Sequence, residues 1–295
     1  MAIRIGAHAI CWSNDDMPEL GGDIPLDTCL SEASQIGLEG MEMGNKFPKE
    51  ANALKTTLGK YNLDLTSWWF SGALLLRSAK EEFAAMRSQL DLLKAMNCDC
   101  VVYAETANTI QGRLDIGLAH RPIMPLSEWS EYFRKLNELG KLTQDYGIKL
   151  AFHHHMGTII QSHTDIDRLM TATQDNIYLL LDTGHAVWGG ADPIKLANDY
   201  ASRVAHIHTK DVRENVLAQA NKENWPFLKG VLQGVFTVPG DGSVDYVKFF
   251  KPFQNYSGWI VIEAEQDPQK ANPLQYVTKG YNHLIASLNS AGLKR

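Results

Sequence analysis

The sequence has no long hydrophobic run, and nothing in it approaches the roughly 20 consecutive apolar residues that a bilayer-crossing helix needs. It is also poor in cysteine. Four thiols in 295 residues, none in a Cys-x-x-Cys pair, exclude a disulfide framework and a thioredoxin-like redox motif. They read instead as reduced, buried small hydrophobes, which fits a reducing compartment. Lys and Arg form no run. With 28 basic against 34 acidic side chains the formal net charge is −6, which argues against an electrostatic binder of nucleic acid. Also missing is a Gly-x-Gly-x-x-Gly turn after the first strand-like run. His8 is followed by Ala-Ile-Cys-Trp, so the dinucleotide-binding turn of a doubly wound sheet is not expected. No proline- or serine-rich linker divides the chain. Met1-Ala2-Ile3-Arg4 enters a strand pattern without the apolar core of a signal peptide, so a soluble cytoplasmic protein is expected.

What remains is a globular composition. At 44% hydrophobic and 21% charged residues, the chain can bury a sizeable core. Short β-rich runs at Ile3–His8, Leu38–Met43, Leu63–Trp69, Cys98–Tyr103, Ile148–His153, Ile177–Asp182, Val204–His208 and Trp259–Glu263 alternate with amphipathic stretches. Those stretches predict helices at 26–36, 48–60, 79–96, 127–146, 163–173, 193–202, 243–255 and 272–292. Ser127-Glu128-Trp129 and Thr164-Asp165 read as helix starts, and Gly140 and Gly147 as ends or breaks. The Lys-Glu-Glu stretch at 80–82 reads as a solvated helix start. Strict alternation requires a parallel sheet, and eight strand–helix units are the number that closes it. The expectation is one (β/α)8 TIM barrel domain over residues 1–295. Two long connections, about 104–126 and 211–242, carry many glycines and prolines and fall on the face where barrel active sites are built.

Parity along each strand says which side chains meet inside the barrel. On the fifth strand Ala151, His153 and His155 share the inward parity, on the sixth Leu180 and Asp182, on the seventh His206 and His208, and on the eighth Glu263 and Glu265. Four consecutive strands thus end in metal-capable groups. Any one of them has a bland explanation, as a satisfied core histidine or a salt-bridged carboxylate. Two imidazoles and two carboxylates converging together suit a transition-metal dication better than calcium. The expected ligands are His153, Asp182, His208 and Glu263, with His153 and His155 both allowed by parity and His153 preferred for its depth. Other polar groups reach the same rim. His8, Glu42, Trp68, Glu105, His155 and Arg213 are expected to contact a hydroxylated substrate, with indole stacking on a ring face.

The segments His153-His154-His155-Met156-Gly157-Thr158, Asp182-Thr183-Gly184-His185, His206-Ile207-His208-Thr209-Lys210-Asp211-Val212-Arg213, Thr237-Val238-Pro239-Gly240-Asp241-Gly242 and Glu263-Ala264-Glu265-Gln266-Asp267-Pro268 together resemble the inosose dehydratases. Trp12-Ser13-Asn14-Asp15-Asp16 and Lys270-Ala271-Asn272-Pro273-Leu274 extend the resemblance over nearly the whole chain. That family is similar in turn to the xylose isomerase-like barrels, whose sugar epimerases hold a metal through Glu, Asp, His and Glu at the ends of the fifth to eighth strands. Here His153 stands where the epimerases have the first Glu. The resemblance implies dehydration of 2-keto-myo-inositol (scyllo-inosose) to a trihydroxycyclohexane-dione in inositol catabolism, with manganese or cobalt and with glutathione as a cofactor. The chemistry suits the residues: a dication chelated by a ketone and its neighbouring hydroxyl acidifies the α-proton and stabilises the enolate. Glu263 or Glu265 is expected as the base, and His185 or Lys210 as donor to the departing hydroxide.

Two competitors share the barrel. A sugar or polyol isomerase or epimerase would use the same metal without releasing water. An endonuclease would need a basic DNA-binding face that the charge balance does not supply. From a different class, a non-catalytic ligand-binding barrel would bind the ketone without turnover. The expected partner is a small cyclic polyol ketone, with no nucleic acid and no membrane; self-association into a homo-oligomer is compatible with the sequence.

Overall fold

The computed structural model describes residues 2–294; Met1 and Arg295, the two ends of the expected domain, lie outside the described residues. The strands are β1 (Ile3–His8), β2 (Gly40–Glu42), β3 (Asp64–Leu65), β4 (Trp69–Gly72), β5 (Cys100–Glu105), β6 (Lys149–His153), β7 (Ile177–Asp182), β8 (Val204–Thr209), β9 (Asp211–Val212), β10 (Phe236–Thr237) and β11 (Gly258–Ile262). Nine of them form one parallel sheet in the order β3-β2-β1-β11-β8-β7-β6-β5-β4. Of its two ends, β3 lies within the expected 63–69 strand and β4 starts at that strand's last residue and runs beyond it. The chain between them bonds both ways: Thr66 N–H donates to Met41 O, Met43 N–H to Ser67 O and Val102 N–H to Trp68 O. The sheet therefore closes into a barrel through a single split stave, and the alternation read from the sequence becomes an eight-stave ring.

Side chains divide by parity as a packed barrel requires. Ile5, Leu181, Ile207, Ile260 and Ile262 face the helices, while Cys100, Val102, Ala151 and Leu180 fill the interior. At the N-terminal end Arg4 lies 4.0 Å over the Trp259 ring and bonds Asp64. The bare faces of Gly6 and Gly40 leave room there, since a Cβ on Gly40 would stand 2.6 Å from the Trp259 ring.

Several local expectations are corrected. The 17-residue helix α4 (Trp129–Asp145), which follows α1 (Leu26–Ile36), α2 (Ala51–Gly59) and α3 (Ala79–Ala95), starts after Glu128, which makes no side-chain cap bond. Gly140 does not interrupt α4. Its missing Cβ lets the helix settle on β7, because a Cβ would stand 2.4 Å from Ile177 Cδ1. Gly147, at φ +91°, does end the segment. Helix α5 (His163–Ala172) is opened by a Ser162–Asp165 capping box, two residues earlier than the Thr164-Asp165 reading. Glu82 on α3 is not solvated: it is fully buried and accepts from Ala73 N–H, Arg77 and the Tyr103 hydroxyl. The composition of a helix start cannot report that a loop will fold back over it.

The 104–126 connection is irregular apart from a short turn at Leu118–His120. The 211–242 connection is not a loop at all. After α6 (Thr183–Trp188) and α7 (Pro193–Tyr200), it carries β9, α8 (Glu214–Lys222), α9 (Phe227–Gln233) and β10, with β9 and β10 antiparallel. It has its own apolar core of Val212, Trp225, Phe227, Val231 and Phe236 packed on Trp188. The Asp211 carboxylate gathers the N–H groups of Val212, Gly240, Gly242 and Val244 and anchors the unit to the barrel. The α-helices α10 (Tyr246–Phe250) and α11 (Pro273–Ser290) follow, with a short 3-10 turn at Lys251–Phe253 between them.

All four cysteines are free and buried, and burial raises each thiol, Cys11 up to about 12. Since the thiolate is the reactive species, the native protein should resist an aromatic disulfide reagent at pH 8, and all four thiols should react in denaturant. Rapid labelling of any native cysteine would contradict the burial. Among the described residues no helix is long and apolar enough to cross a membrane.

Candidate metal centre and active site

At the C-terminal end of the barrel, ligand-capable atoms of His153, Asp182, His208 and Glu263 all lie within 4.8 Å of one another. They come from β6, β7, β8 and the residue just after β11, which the sheet places side by side, with Asp182 opposite His208 in the register. Asp182 Oδ2 stands 3.9 Å from His153 Nε2 and 3.7 Å from His208 Nδ1, and His208 Nδ1 directly faces Glu263 Oε2. Ligand atoms each about 2.1 Å from a common ion would be about 3–4 Å apart, so the spacing of Asp182 fits coordination. Of the four tips, Asp182 Oδ2 is buried without a hydrogen-bond partner, while His208 Nδ1 and Glu263 Oε2 are paired with each other. Buried polar atoms are otherwise almost always satisfied. A donor set of two nitrogens and two oxygens fits a cation.

The hydrogen bonds of the two imidazoles leave their other nitrogens facing the cluster. His153 Nδ1 bonds His154 O, which turns Nε2 toward Asp182. His208 Nε2 lies 3.0 Å from Glu42 Oε2, which leaves Nδ1 for the cluster. The same Glu42 oxygen holds His206 Nε2 at 2.9 Å, and Glu42 Oε1 is 3.9 Å from His8. Burial alone would raise the Glu42 carboxyl, but His208 and His206 outweigh it and hold it below the ordinary range. Burial depresses His153 and His185, and it brings His154 and His155 down to about 4, so these rings are neutral at pH 7. The sequence left the choice among 153, 154 and 155 to parity and depth. Here His153 joins the four-tip cluster, His154 turns away to accept from Asp182 N–H, and His155 bonds Met156 O and lies tilted against His185 with ring centroids 3.9 Å apart.

The Asp182-Thr183-Gly184-His185 run is a seat for Lys210. Asp182 Oδ1 caps α6 by accepting from His185 N–H at 2.8 Å. The Thr183 hydroxyl donates to Lys210 O and accepts from Lys210 N–H. Gly184 leaves the space through which the lysine stem passes. The fully buried ammonium then reaches Glu265 Oε1 at 2.6 Å, His185 Nε2 at 3.0 Å and Glu263 Oε1 at 3.1 Å. Burial disfavours that charge, but Glu263 and Glu265 outweigh it and raise the lysine. Burial also pushes the Glu265 carboxyl up to about 7 against the pull of Lys210.

Above the cluster opens a cavity of about 330 Å³, near the lower end for small-molecule sites. His8, Glu42, Trp68, His153, His155, His208, Glu263 and Glu265 line it, as do Asp15, Asp16, Trp69, Asn45, Ser71 and Gln111. Trp69 sets its ring edge-on to His153 and His155 at 5.4 and 5.6 Å. The family model for the xylose isomerase-like TIM barrel matches residues 30–286. The chain belongs to the xylose isomerase-like TIM barrel family. Within reach of it, the rhizopine catabolism protein MocC of Rhizobium meliloti is 43% identical over 296 residues, covering 100% of this chain and 91% of that protein. An inosose dehydratase of Clostridium beijerinckii is 41% identical over 286 residues, 96% of each. Among solved structures, the IolI protein with a bound zinc atom superposes with a TM-score of 0.65 at 13% identity, covering 98% of both chains, a likeness of fold alone.

In this xylose isomerase-like barrel two of the expected substrate contacts do not line the cavity. Arg213 faces the 211–242 unit, where its guanidinium bonds Gly234 O, Phe236 O, Thr237, Asp241 and Gln266. Glu105 is buried, accepting from Ala107 N–H and Leu75 N–H, and so ties the chain after β4 to the end of β5. Parity gave the face of each residue but not the local partner that captures it. His185 and Lys210 likewise sit behind Glu265 rather than on the cavity wall. The acids missed among the lining residues, Asp15 and Asp16, come from the loop after β1, where no periodicity operates. Their only signal was the Trp12–Asp16 motif.

Glu105 makes a separate prediction. Burial outweighs its backbone hydrogen bonds and pushes the carboxyl up to about 7. The folded chain then holds a proton that the unfolded chain has released. That stability is fully present below the ordinary carboxylate value and is lost as pH rises through about 7, an effect of about 3 kcal/mol. In urea titrations between pH 4.5 and 8, Glu105→Gln should lose about 3 kcal/mol less stability than wild type. Parallel curves for the two proteins would contradict the buried, protonated carboxyl.

Proposed function

We propose that this chain is a metal-dependent inosose dehydratase of inositol catabolism, acting as one cytoplasmic catalytic domain on 2-keto-myo-inositol. The observation that carries the reading is the 41% identity to an inosose dehydratase over 96% of both chains. The residues at the strand ends support it. His153, Asp182, His208 and Glu263 would hold one divalent ion, with Mn²⁺ or Co²⁺ suited to two nitrogen and two oxygen ligands. Bound there, the ion would polarise the ketone and acidify the neighbouring C–H.

The remaining work falls to the chain's own groups. Trp68, Trp69 and His155 bound the cavity and position the ring, while Asp15, Asp16 and Asn45 offer partners for hydroxyls. Glu265 lines the same cavity, and the Lys210 ammonium fixes its carboxylate. In the proposed step Glu265 takes the α-proton, the C–O bond to the β-hydroxyl breaks, and the proton passes from Glu265 to the departing oxygen as water. His185 and Lys210, expected as direct donors, act here by holding Glu265. An epimerase with a carboxylate on each side of the substrate would need a glutamate where His153 stands.

The test is metal-loaded protein with 2-keto-myo-inositol, followed by ultraviolet absorbance and product mass. A product lighter by one water is expected. A product of unchanged mass would move the assignment to an isomerase or epimerase, and no reaction with any divalent metal would sink it. A parallel arm with added glutathione tests that cofactor. The likeness to MocC supports a second reading, in which the same site serves rhizopine catabolism.

A further inference from the structure

Beside the four-tip cluster lies a second one. His155, His185 and Glu265 are all buried and offer ligand-capable atoms within 4.8 Å of one another. Glu263 joins the two sets: its Oε2 faces His208 in the first, and its Oε1 is turned to the second. A carboxylate with one oxygen toward each of two adjacent donor sets is the arrangement of a bridged two-metal site. Yet an ammonium already sits against two of the three members of the second set and against the shared Glu263. Lys210 Nζ stands 3.0 Å from His185 Nε2, 2.6 Å from Glu265 Oε1 and 3.1 Å from the bridging Glu263 Oε1, and 3.8 Å from Asp182 Oδ2.

We propose that the Lys210 ammonium takes the place of a second divalent ion, so that this crown of two adjacent donor sets holds one exchangeable metal per chain. The inference rests on the metal-centre reading above and adds to it the reason the site stops at one. The seat is built for the lysine. Gly184 clears its stem, with Lys210 Cγ only 2.6 Å from where a Cβ would stand, and the Thr183 hydroxyl fixes its backbone from both sides. The ammonium also lies 4.7 Å over the Phe236 ring, so the 211–242 unit closes the one remaining side with an aromatic face instead of another ligand. A tethered ammonium is permanent, singly charged and limited to three N–H directions. It keeps Glu265 paired without drawing a second set of metal-bound waters into the cavity.

The experiment is metal counting on the whole protein. Wild type, stripped with chelator and titrated with Mn²⁺ by calorimetry, should bind one ion per chain, and its electron paramagnetic resonance spectrum should be that of an isolated ion. Lys210→Ala should bind two, with the spectral broadening of a magnetically coupled pair. A second tight Mn²⁺ in wild type would overturn the proposal, as would a folded Lys210→Ala that still binds one. Lys210→Gln, which fills more of the stem's space, repeats the count should the alanine variant not fold, and the wild-type count decides against the proposal on its own if it reaches two. No ion in wild type would instead sink the metal centre itself, an outcome distinct from either.

Discussion

Asp182→Asn should leave a folded protein that neither retains a divalent ion through dialysis nor turns over its substrate. The exchange separates the two oxygens of the native carboxylate. Oδ1 caps α6, and an asparagine oxygen can accept the same bond from His185 N–H. Oδ2, which faces His153 and His208 without a hydrogen-bond partner of its own, becomes an amide NH₂ that cannot ligate a cation. Several kcal/mol of transition-state stabilisation is the usual contribution of such an ion, so kcat/KM should fall by ~10³-fold or more. Circular dichroism and elemental analysis of the same sample separate loss of metal from loss of fold. Turnover at the wild-type rate, in this variant or in wild type after exhaustive chelation, would refute the ligand assignment.

The second large effect is expected from a single methyl group. In Gly184→Ala the new Cβ would lie 2.6 to 2.9 Å from the Cγ, Cβ and Cδ of Lys210. An exposed lysine would simply swing aside. This one is fully buried, clamped by Thr183 along its backbone and by three partners at its tip. Overpacking should cost about 1–3 kcal/mol of stability. The displaced ammonium should also lower kcat by ~10²-fold, because Glu265 loses the partner that aims it. Gly59→Ala, at the end of α2 with nothing near its missing Cβ, serves as the control and should leave both activity and melting temperature unchanged. If Gly184→Ala behaved like that control, the account of the Asp-Thr-Gly-His run as a lysine seat would be wrong.

These two positions also mark what the sequence could and could not convey. Asp182 was legible because a strand has a period of two: one acid at the end of Tyr-Leu-Leu-Leu-Asp has a predictable face and depth, and His153, His208 and Glu263 are legible for the same reason. Gly184 was not, since its meaning depends on Lys210, 26 positions later, crossing at that spot. Arg213 and Glu105 were assigned to the right end of the barrel, but nearby backbone groups that no periodicity reveals hold them elsewhere. Helices α8 and α9 were hidden because the glycines and prolines of 211–242 read as loop punctuation, while the apolar residues between them serve a separate small core. Glu82 went the same way: its composition says solvent, and its position under Ala73 and Tyr103 says core.

The small core beneath the 211–242 unit has an evolutionary consequence. Its aromatic residues pack on one another and on Trp188, but Phe227 also meets the rings of His155 and His185, and Phe236 that of His185, at 5.0 to 5.7 Å, and Phe236 lies against Lys210. Substitutions within this module would therefore be felt first by the rings and the ammonium behind Glu265 and not by the cavity wall, so its drift is constrained by the packing beneath the strand tips.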